Sequence, residues 1–224
     1  MRSPPVPGRV ALAGASGLVG RALARRLAAD PECTALWLPL RRAVPELEAL
    51  PKARRLPWPP HDLPPLDSAL CALGTTIAQA GSQAAQRAVD HDAVLAFARA
   101  ARAAGATRFG VVSALGADQR SAVFYNRVKG EMEAALATLG FEVLAIARPS
   151  LLVGDRGALG QPRRFAEHLA QSLAAPVARW MPARWRPIAA DDVAAGLLAT
   201  LRAHAGVHVV ESAALARAAM RPSG

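Results

Sequence analysis

The chain has 224 residues, a formal net charge of +10, 52% hydrophobic residues and 20% charged residues. A chain of this length can bury the core of one domain, and this balance of apolar and charged residues excludes a disordered protein. Although the charge is basic, the arginines occur in scattered pairs without interleaved aromatic residues, which argues against nucleic-acid binding as the main role.

The N-terminal residues contain prolines and an apolar stretch interrupted by glycine, and they lack the continuous apolar region of a signal peptide. No run of 18 apolar residues occurs, so no membrane span is predicted. Cys33 and Cys71 share no metal-ligand spacing, and no metal site is predicted. By default, these features predict a cytoplasmic protein.

Residues 9–30, RVALAGASGLVGRALARRLAAD, predict a strand, a glycine-rich turn and a helix. In this context Gly14 permits a tight turn, Gly17 lets the backbone approach a pyrophosphate, and Gly20 lets the helix pack closely on the strand. The helix N-terminus offers N–H groups to the phosphates. An ordinary glycine-rich turn is the alternative, but the flanking strand and helix favour a dinucleotide site. Its predicted residues are Gly14, Ala15, Ser16, Gly17, Leu18, Val19 and Gly20.

A second buried strand is predicted over residues 34–42, and the end of this strand selects the cofactor. NAD-binding proteins usually have an acidic residue there, which bonds the ribose 2′-hydroxyl. This chain has Arg41 and Arg42 instead, and a guanidinium can bind a 2′-phosphate through two hydrogen bonds. The sequence therefore favours NADP(H), with NAD(H) as the alternative if the two arginines are ordinary surface residues.

Residues 43–67 are rich in proline and can hold at most one short strand, near residues 55–58. His61, Asp62 and Leu63 follow that strand and are candidates to meet the adenine edge of the cofactor.

The rest of the chain alternates apolar strands with helices. Strands are predicted in residues 68–76, 107–117, 141–150 and 206–212, and residues 186–203 read as a strand end that enters a helix. Helices are predicted over residues 88–104, ended by Gly105, and over 121–139, capped by Ser121 and ended by Gly140. Apolar strands alternating with helices are typical of a parallel sheet covered on both faces. The predicted fold is α/β: one Rossmann-type, doubly wound domain over residues 1–224, with a small C-terminal substrate lobe near residues 150–187.

Tyr125 is the only tyrosine of the chain, and Lys129 is one of its two lysines. Because they are four residues apart on a predicted helix, they share a face. A neighbouring ammonium lowers the pKa of a phenol from about 10 towards the range that is useful in acid–base catalysis. The apolar stripe of the helix lies one step round, so the pair is expected to flank the core without being buried in it.

Ser113 is predicted at the C-terminal end of a strand, the edge at which open α/β sheets bind ligands. Its hydroxyl is expected to donate to a substrate carbonyl that Tyr125 protonates.

Taken together, these motifs resemble those of the short-chain dehydrogenases/reductases, and within them the atypical, Tat-interacting-oxidoreductase-like branch. The resemblance covers residues 8–160 well and the remainder loosely. Its ordered stretches are GASGLVG (14–20), LGTTIAQAGS (73–82), VDHD (89–92), VVSALGAD (111–118), YNRVKGEME (125–133) and ARPSLLVGDR (147–156).

This resemblance implies an NADP(H)-binding domain in which Ser113, Tyr125 and Lys129 hold the catalytic positions. Tyr125 and Lys129 would also contact the cofactor. It further implies that a loop beside the cofactor consists of Leu73, Gly74, Thr75 and Thr76. A segment along the nicotinamide would consist of Arg148, Pro149 and Leu151. The asparagine-glycine loop of the main superfamily is missing at residues 73–76, as it is in the atypical branch.

Two functions are compatible with these residues. The first is an NADP(H)-dependent oxidoreductase of a small carbonyl or hydroxyl substrate, in which Tyr125 is the general acid, Lys129 tunes its pKa and anchors the ribose, and Ser113 orients the carbonyl. The second is an NADP(H)-binding redox sensor or assembly protein with little turnover, which would not need a proton donor. A nucleotide-sugar epimerase would need a larger substrate lobe.

Trp180 and Trp185 are candidates for apolar walls of the pocket, with core or interface packing as the alternative. The protein is expected to be a monomer or a homodimer.

Overall fold

The computed structural model describes residues 8–60, 62–153 and 185–219. Its strands are β1 (Arg9–Ala13), β2 (Ala35–Leu40), β3 (Ala53–Pro57), β4 (Ser68–Cys71), β5 (Arg108–Val112), β6 (Val143–Arg148), β7 (Leu152–Val153), β8 (Ile188–Ala189) and β9 (Gly206–Glu211). Its helices are α1 (Leu18–Ala29), α2 (Pro45–Glu48), α3 (Ile77–Ala80), α4 (Gln83–Arg87), a π-helical turn (Ala88–Asp92), α5 (Ala93–Ala103), α6 (Phe124–Ala137), α7 (Ala190–Leu201) and α8 (Ser212–Ala219).

Seven of the strands form one parallel sheet in the order β3-β2-β1-β4-β5-β6-β9. The chain winds outward from β1 in one direction through β2 and β3, and then in the other direction from β4 onward. Ligands of open α/β sheets bind at the carboxyl edge beside this switch point, which here lies between β1 and β4. The predicted doubly wound, Rossmann-type fold is confirmed.

Both faces of the sheet are buried, which is why its strands are apolar at successive positions. On β1, Val10 and Leu12 belong to the core beneath α1 and α7, whereas Ala11 and Ala13 belong to the core beneath α5 and α6. Side chains alternate between faces along a strand, so each face needs its own apolar set.

Two predicted helix boundaries differ from the structure. The helix predicted from residue 88 begins as α4, continues through the π-helical turn and ends as α5. Ser121 does not cap α6, because its hydroxyl accepts a hydrogen bond from the Val123 N–H (3.1 Å) in the turn before the helix, and Val123 is the N-cap residue. The predicted helix ends lie within two residues of the observed ends at Ala103 and Ala137, and Gly105 and Gly140, which follow them, have positive φ values of 99° and 70°.

The small parallel pair β7–β8 lies where the substrate lobe was predicted. Residues 154–184 of that lobe, which include Trp180, lie outside the described residues.

Candidate active site

The glycine turn joins β1 to α1 at the carboxyl edge of the sheet. Gly14 has a φ of +78°, and a Cβ atom there would lie 2.5 Å from the Ala72 carbonyl carbon. A Cβ atom on Gly20 would lie 2.0 Å from the Gly14 carbonyl oxygen. On Gly17 it would lie 3.5 Å from that same oxygen, with no other contact within 4 Å among the described residues beyond its chain neighbours. Packing therefore requires glycine at positions 14 and 20, whereas the backbone at Gly17 faces open space.

No side chain caps the N-terminus of α1, where Gly17 is the N-cap residue. The first N–H groups of a helix have no partner within the helix and carry a partial positive charge. This end of α1, beside open space, therefore fits the phosphates of a dinucleotide.

Arg41 and Arg42 directly follow β2, and both side chains are exposed. Neither forms an ion pair within the described part of the chain. Asp62 is exposed, Leu63 is partly buried against the core, and His61 lies outside the described residues. The two guanidinium groups thus remain available for a phosphate at this edge.

Tyr125 and Lys129 lie on the same face of α6, with the Lys129 Nζ atom 5.9 Å from the centre of the Tyr125 ring. Lys129 does not flank the core as expected, because only 2% of its surface is exposed. Its Nζ atom lies 2.6 Å from the Oδ1 atom of Asp90, which is fully buried in the π-helical turn. The burial of the ammonium is compensated by this carboxylate.

Asp90 changes the predicted electrostatics of the phenol. Burial raises the pKa of Tyr125, the Lys129 ammonium lowers it, and the Asp90 carboxylate raises it, so that it lies above its ordinary value. Lys129 thus acts on this pKa in the expected direction, but burial and Asp90 outweigh it, so the pKa does not move towards neutrality. For Lys129, burial lowers the pKa, but the charges of Tyr125 and Asp90 outweigh it, so the pKa is raised and the ammonium is kept.

Asp90 also holds the loop after β4. Its Oδ2 atom accepts a hydrogen bond from the Thr75 N–H (2.9 Å), and a Cβ atom on Gly74 would lie 3.5 Å from its Oδ1 atom. Leu73 packs partly against the core, and Thr76 is the N-cap residue of α3. One carboxylate thus links the predicted cofactor loop to the predicted catalytic lysine.

Ser113 is buried at the end of β5, and its hydroxyl donates to the Oε1 atom of Glu133 on α6. Glu133 is also buried and accepts from the Arg148 guanidinium at the end of β6, with Nη2–Oε2 at 2.5 Å and Nε–Oε1 at 3.0 Å. The Glu133 hydrogen bond raises the pKa of Arg148, which keeps the guanidinium charged.

The direction of this hydrogen bond corrects the role expected for Ser113. A carboxylate only accepts, so the single hydroxyl proton of Ser113 is committed to Glu133. The oxygen of Ser113 can still accept a hydrogen bond, but it has no proton left to donate to a substrate carbonyl.

A cavity of about 560 Å³ lies at this edge of the sheet. Its lining within the described residues consists of Ser113, Ala114, Leu115, Tyr125, Pro149, Ser150, Leu151, Leu152, Trp185 and Pro187. The structure thus brings Ser113, Tyr125, Pro149 and Leu151 together around one space. Arg148 is not part of the lining and is paired with Glu133 instead.

Asp90, Glu133 and Gly130 carry structural roles that sequence reasoning did not assign. Glu133 follows Lys129 by four residues, so the helical spacing that linked Tyr125 to Lys129 also predicts a carboxylate on the same face. Asp90 lies in the VDHD stretch, but nothing local to it indicates its partner. A Cβ atom on Gly130 would lie 2.3 Å from the backbone at Asp118, so glycine there lets the loop after β5 lie directly on α6.

No family model matches the chain. Among curated proteins, the mitochondrial protein fmp52 of Emericella nidulans is 38% identical over 158 residues, which cover 66% of this chain and 68% of that protein. The chain belongs to the FMP52 family of atypical short-chain dehydrogenases/reductases. A second member of the FMP52 family, from Eremothecium gossypii, is 35% identical over 64% of this chain and 66% of its own length. The protein HTATIP2 of Rattus norvegicus is 42% identical over 47% of this chain and 41% of its own length.

Solved structures agree with membership of the FMP52 family at the level of the fold. MoeE5 in complex with UDP-glucose and NAD superposes with a TM-score of 0.66 at 15% identity, over 93% of this chain and 79% of that chain. A short-chain dehydrogenase/reductase family oxidoreductase from Burkholderia thailandensis gives 0.67 at 17% identity, over 94% and 93%. The chain therefore has the NAD(P)-binding fold of short-chain dehydrogenases/reductases and epimerases.

The FMP52 relatives also correct the expected location. Those from Emericella nidulans, Eremothecium gossypii and Coccidioides immitis are named mitochondrial proteins, so the cytoplasmic location expected by default is wrong. Among the helices that the structure describes, none has the length and apolar character needed to cross a membrane.

Proposed function

We propose that the protein is an NADP(H)-dependent oxidoreductase that acts on a small carbonyl or hydroxyl substrate. The observation that supports this most is the shared cavity of Tyr125 and Ser113, with the buried Lys129 ammonium against the Tyr125 ring. This cavity opens at the sheet edge that also carries the glycine turn.

The residues present fit a dinucleotide. The uncapped start of α1 would hold the pyrophosphate at Gly17, and Arg41 and Arg42 would bind a 2′-phosphate, which supports NADP(H) over NAD(H). The loop at residues 73–76 and the segment at Pro149 and Leu151 would line the nicotinamide half. When bound, the reduced cofactor supplies a hydride to the carbonyl carbon.

In this mechanism, Tyr125 gives its phenolic proton to the substrate oxygen as the hydride arrives, which yields the alcohol. The raised pKa of Tyr125 keeps the phenol protonated at neutral pH, as a general acid requires. Ser113 acts as an acceptor, because its proton is committed to Glu133. It would orient the Tyr125 hydroxyl or the alcohol product, while Lys129 stabilises the phenolate that forms.

Binding and turnover test this proposal separately. NADPH and NADH are titrated by fluorescence, and NADPH oxidation is then followed over a panel of aldehydes and ketones with the wild type and Tyr125→Phe. We expect tighter binding of NADPH than NADH, and a loss of turnover of roughly 100-fold or more in Tyr125→Phe with unchanged NADPH affinity. If NADPH binds but no carbonyl compound is reduced, the proposed oxidoreductase activity is wrong, and the protein is instead an NADP(H)-binding sensor or assembly protein.

A further inference from the structure

Two of the three hydroxyl groups in the described lining of the cavity donate to groups of the protein itself. The Ser150 hydroxyl donates to the Arg186 carbonyl oxygen (2.5 Å) and accepts from the Ser212 hydroxyl (3.0 Å). The Ser113 hydroxyl donates to Glu133. Tyr125 makes no hydrogen bond to any described residue. Among the described lining side chains, the phenol of Tyr125 is therefore the one uncommitted O–H donor.

No described residue of the lining is charged, although the chain is rich in arginine. Two cations beside Tyr125 and Ser113 are neutralised inside the protein, Lys129 by Asp90 and Arg148 by Glu133. A carboxylate or phosphate moved into such a cavity would lose its hydration without gaining a cation. The described part of the lining therefore offers no cation to an anionic substrate.

The remaining walls are apolar and open. Leu151 and Trp185 are about half exposed, at 51% and 50%, and they adjoin Leu152 and Pro187. Cavities of about 300–1,000 Å³ with apolar walls and few polar groups are typical of small-molecule sites. A volume of about 560 Å³ leaves room for an aryl or branched alkyl group beside the nicotinamide.

From these observations we infer that the substrate is an uncharged, largely apolar carbonyl compound with one acceptor oxygen for Tyr125, and that Trp185 contacts its apolar part. This inference rests on the proposed function, because it concerns the same cavity. It distinguishes the protein from enzymes that bind nucleotide sugars, whose diphosphates need cationic partners.

A matched pair of ligands tests the charge preference. Para-acetylbenzoate and its methyl ester differ in one negative charge, and both are titrated by calorimetry with and without saturating NADP⁺, together with UDP-glucose. We expect the ester to bind about tenfold more tightly than the acid or more, and to bind also with NADP⁺ present. Equal or tighter binding of the acid or of UDP-glucose, no binding of the ester, or loss of its binding with NADP⁺ would each overturn the inference.

Variants of Trp185 test the contact. Trp185→Ala should weaken ester binding roughly five- to tenfold, Trp185→Phe should largely retain it, and Trp185→Arg should reverse the preference between ester and acid. Val123→Ala is the control, because Val123 is 58% exposed but does not line the cavity. An unchanged ester affinity in Trp185→Ala, or an effect of equal size in the control, would contradict the contact.

Calorimetry separates this inference from the proposed function. If the ester binds as expected but is not reduced by NADPH, the proposed function fails and the inference on the cavity stands. If a charged carbonyl compound is reduced while the ester does not bind, the proposed function stands and the inference fails.

Discussion

At the scale of single residues, burial and two neighbours of opposite charge set the pKa of Tyr125. Lys129 favours the phenolate, whereas burial and the Asp90 carboxylate favour the protonated phenol. A tyrosine that holds its proton until the reaction is suited to act as a general acid.

Two substitutions should move the pKa of Tyr125 in opposite directions. Asp90→Asn removes a carboxylate that raises this pKa and should lower it, whereas Lys129→Met removes the cation that lowers it and should raise it further. The near-ultraviolet absorption of tyrosinate reports the titration without ambiguity, because the chain has one tyrosine. Circular dichroism at each pH checks that the folded protein titrates. Shifts of the same sign in both variants would show that the two charges do not control the phenol.

The raised pKa also predicts how stability depends on pH. Folded Tyr125 holds its proton to a higher pH than unfolded tyrosine, whose pKa is about 10. Its contribution to the free energy of unfolding is therefore complete below pH of about 10, and it falls as the pH rises through the folded pKa. Urea unfolding across this range should show a steeper loss of stability in the wild type than in Tyr125→Phe. Equal slopes would mean that the pKa of Tyr125 is the same in both states.

The buried carboxylate of Glu133 provides a second test at this scale. Glu133→Gln leaves the Arg148 charge without its partner and should lower the free energy of unfolding by about 2–4 kcal/mol. Glu131→Gln is the matched control on the same helix, because Glu131 pairs with Arg87 while both are about one third exposed or more. The control should cost at most about 1 kcal/mol. Similar losses in both variants would contradict the special role of the Ser113–Glu133–Arg148 cluster.

At the scale of elements, the turn between β1 and α1 contains glycines with two different roles, since Gly20 is needed for packing and Gly17 for the expected phosphate contact. Gly20→Ala would bring a Cβ atom against the Gly14 carbonyl and should destabilise the protein by about 2 kcal/mol or more. Gly17→Ala meets only an ordinary contact and should change stability by less than about 1 kcal/mol, yet weaken NADPH binding. Chemical unfolding and NADPH titration of both variants measure the two effects. A Gly17→Ala variant that binds NADPH normally would argue against a phosphate at this turn.

The elements also show which parts of the site a sequence can predict. The glycine turn and the Tyr125–Lys129 pair follow from local spacing. The doubly wound fold follows from the alternation of apolar strands with helices, and the strand-end position of Ser113 follows from the fold. The π-helical turn and the partner of Lys129 do not, because Asp90 reaches Lys129 only when α5 and α6 pack on the same face of the sheet. The direction of the Ser113 hydrogen bond likewise depends on Glu133, which a strand-end motif does not contain.

At the scale of the whole molecule, the cofactor would lie along the carboxyl edge of the sheet, from the end of β2 to the end of β6. Its two ends would meet different chemistry: exposed guanidinium groups at Arg41 and Arg42, and, at Tyr125, a cavity whose described lining is uncharged. In this proposal Arg41 and Arg42 bind the cofactor, and the described walls on the substrate side are mostly apolar.

Removing the positive charges of Arg41 and Arg42, which follow β2, should therefore weaken the binding of NADPH but not that of NADH. Replacing Arg41 and Arg42 together with glutamine should weaken NADPH binding by about tenfold or more and leave NADH binding nearly unchanged. Arg25→Gln is the control, because Arg25 is exposed on α1 and lies eight residues, or about 12 Å along the helix, beyond Gly17. An equal loss for both cofactors would indicate general electrostatic attraction instead of a 2′-phosphate site.

Hydride transfer to a neutral carbonyl compound in the cavity at Tyr125 can be tested directly with labelled cofactor. NADPH that carries deuterium at the transferred position of its nicotinamide is incubated with an apolar ketone and the protein, and the product alcohol is analysed by mass spectrometry. We predict one deuterium at the former carbonyl carbon with the wild type, and a loss of labelled product in Tyr125→Phe that still binds NADPH. Unlabelled product, or equal labelling by Tyr125→Phe, would contradict the claim.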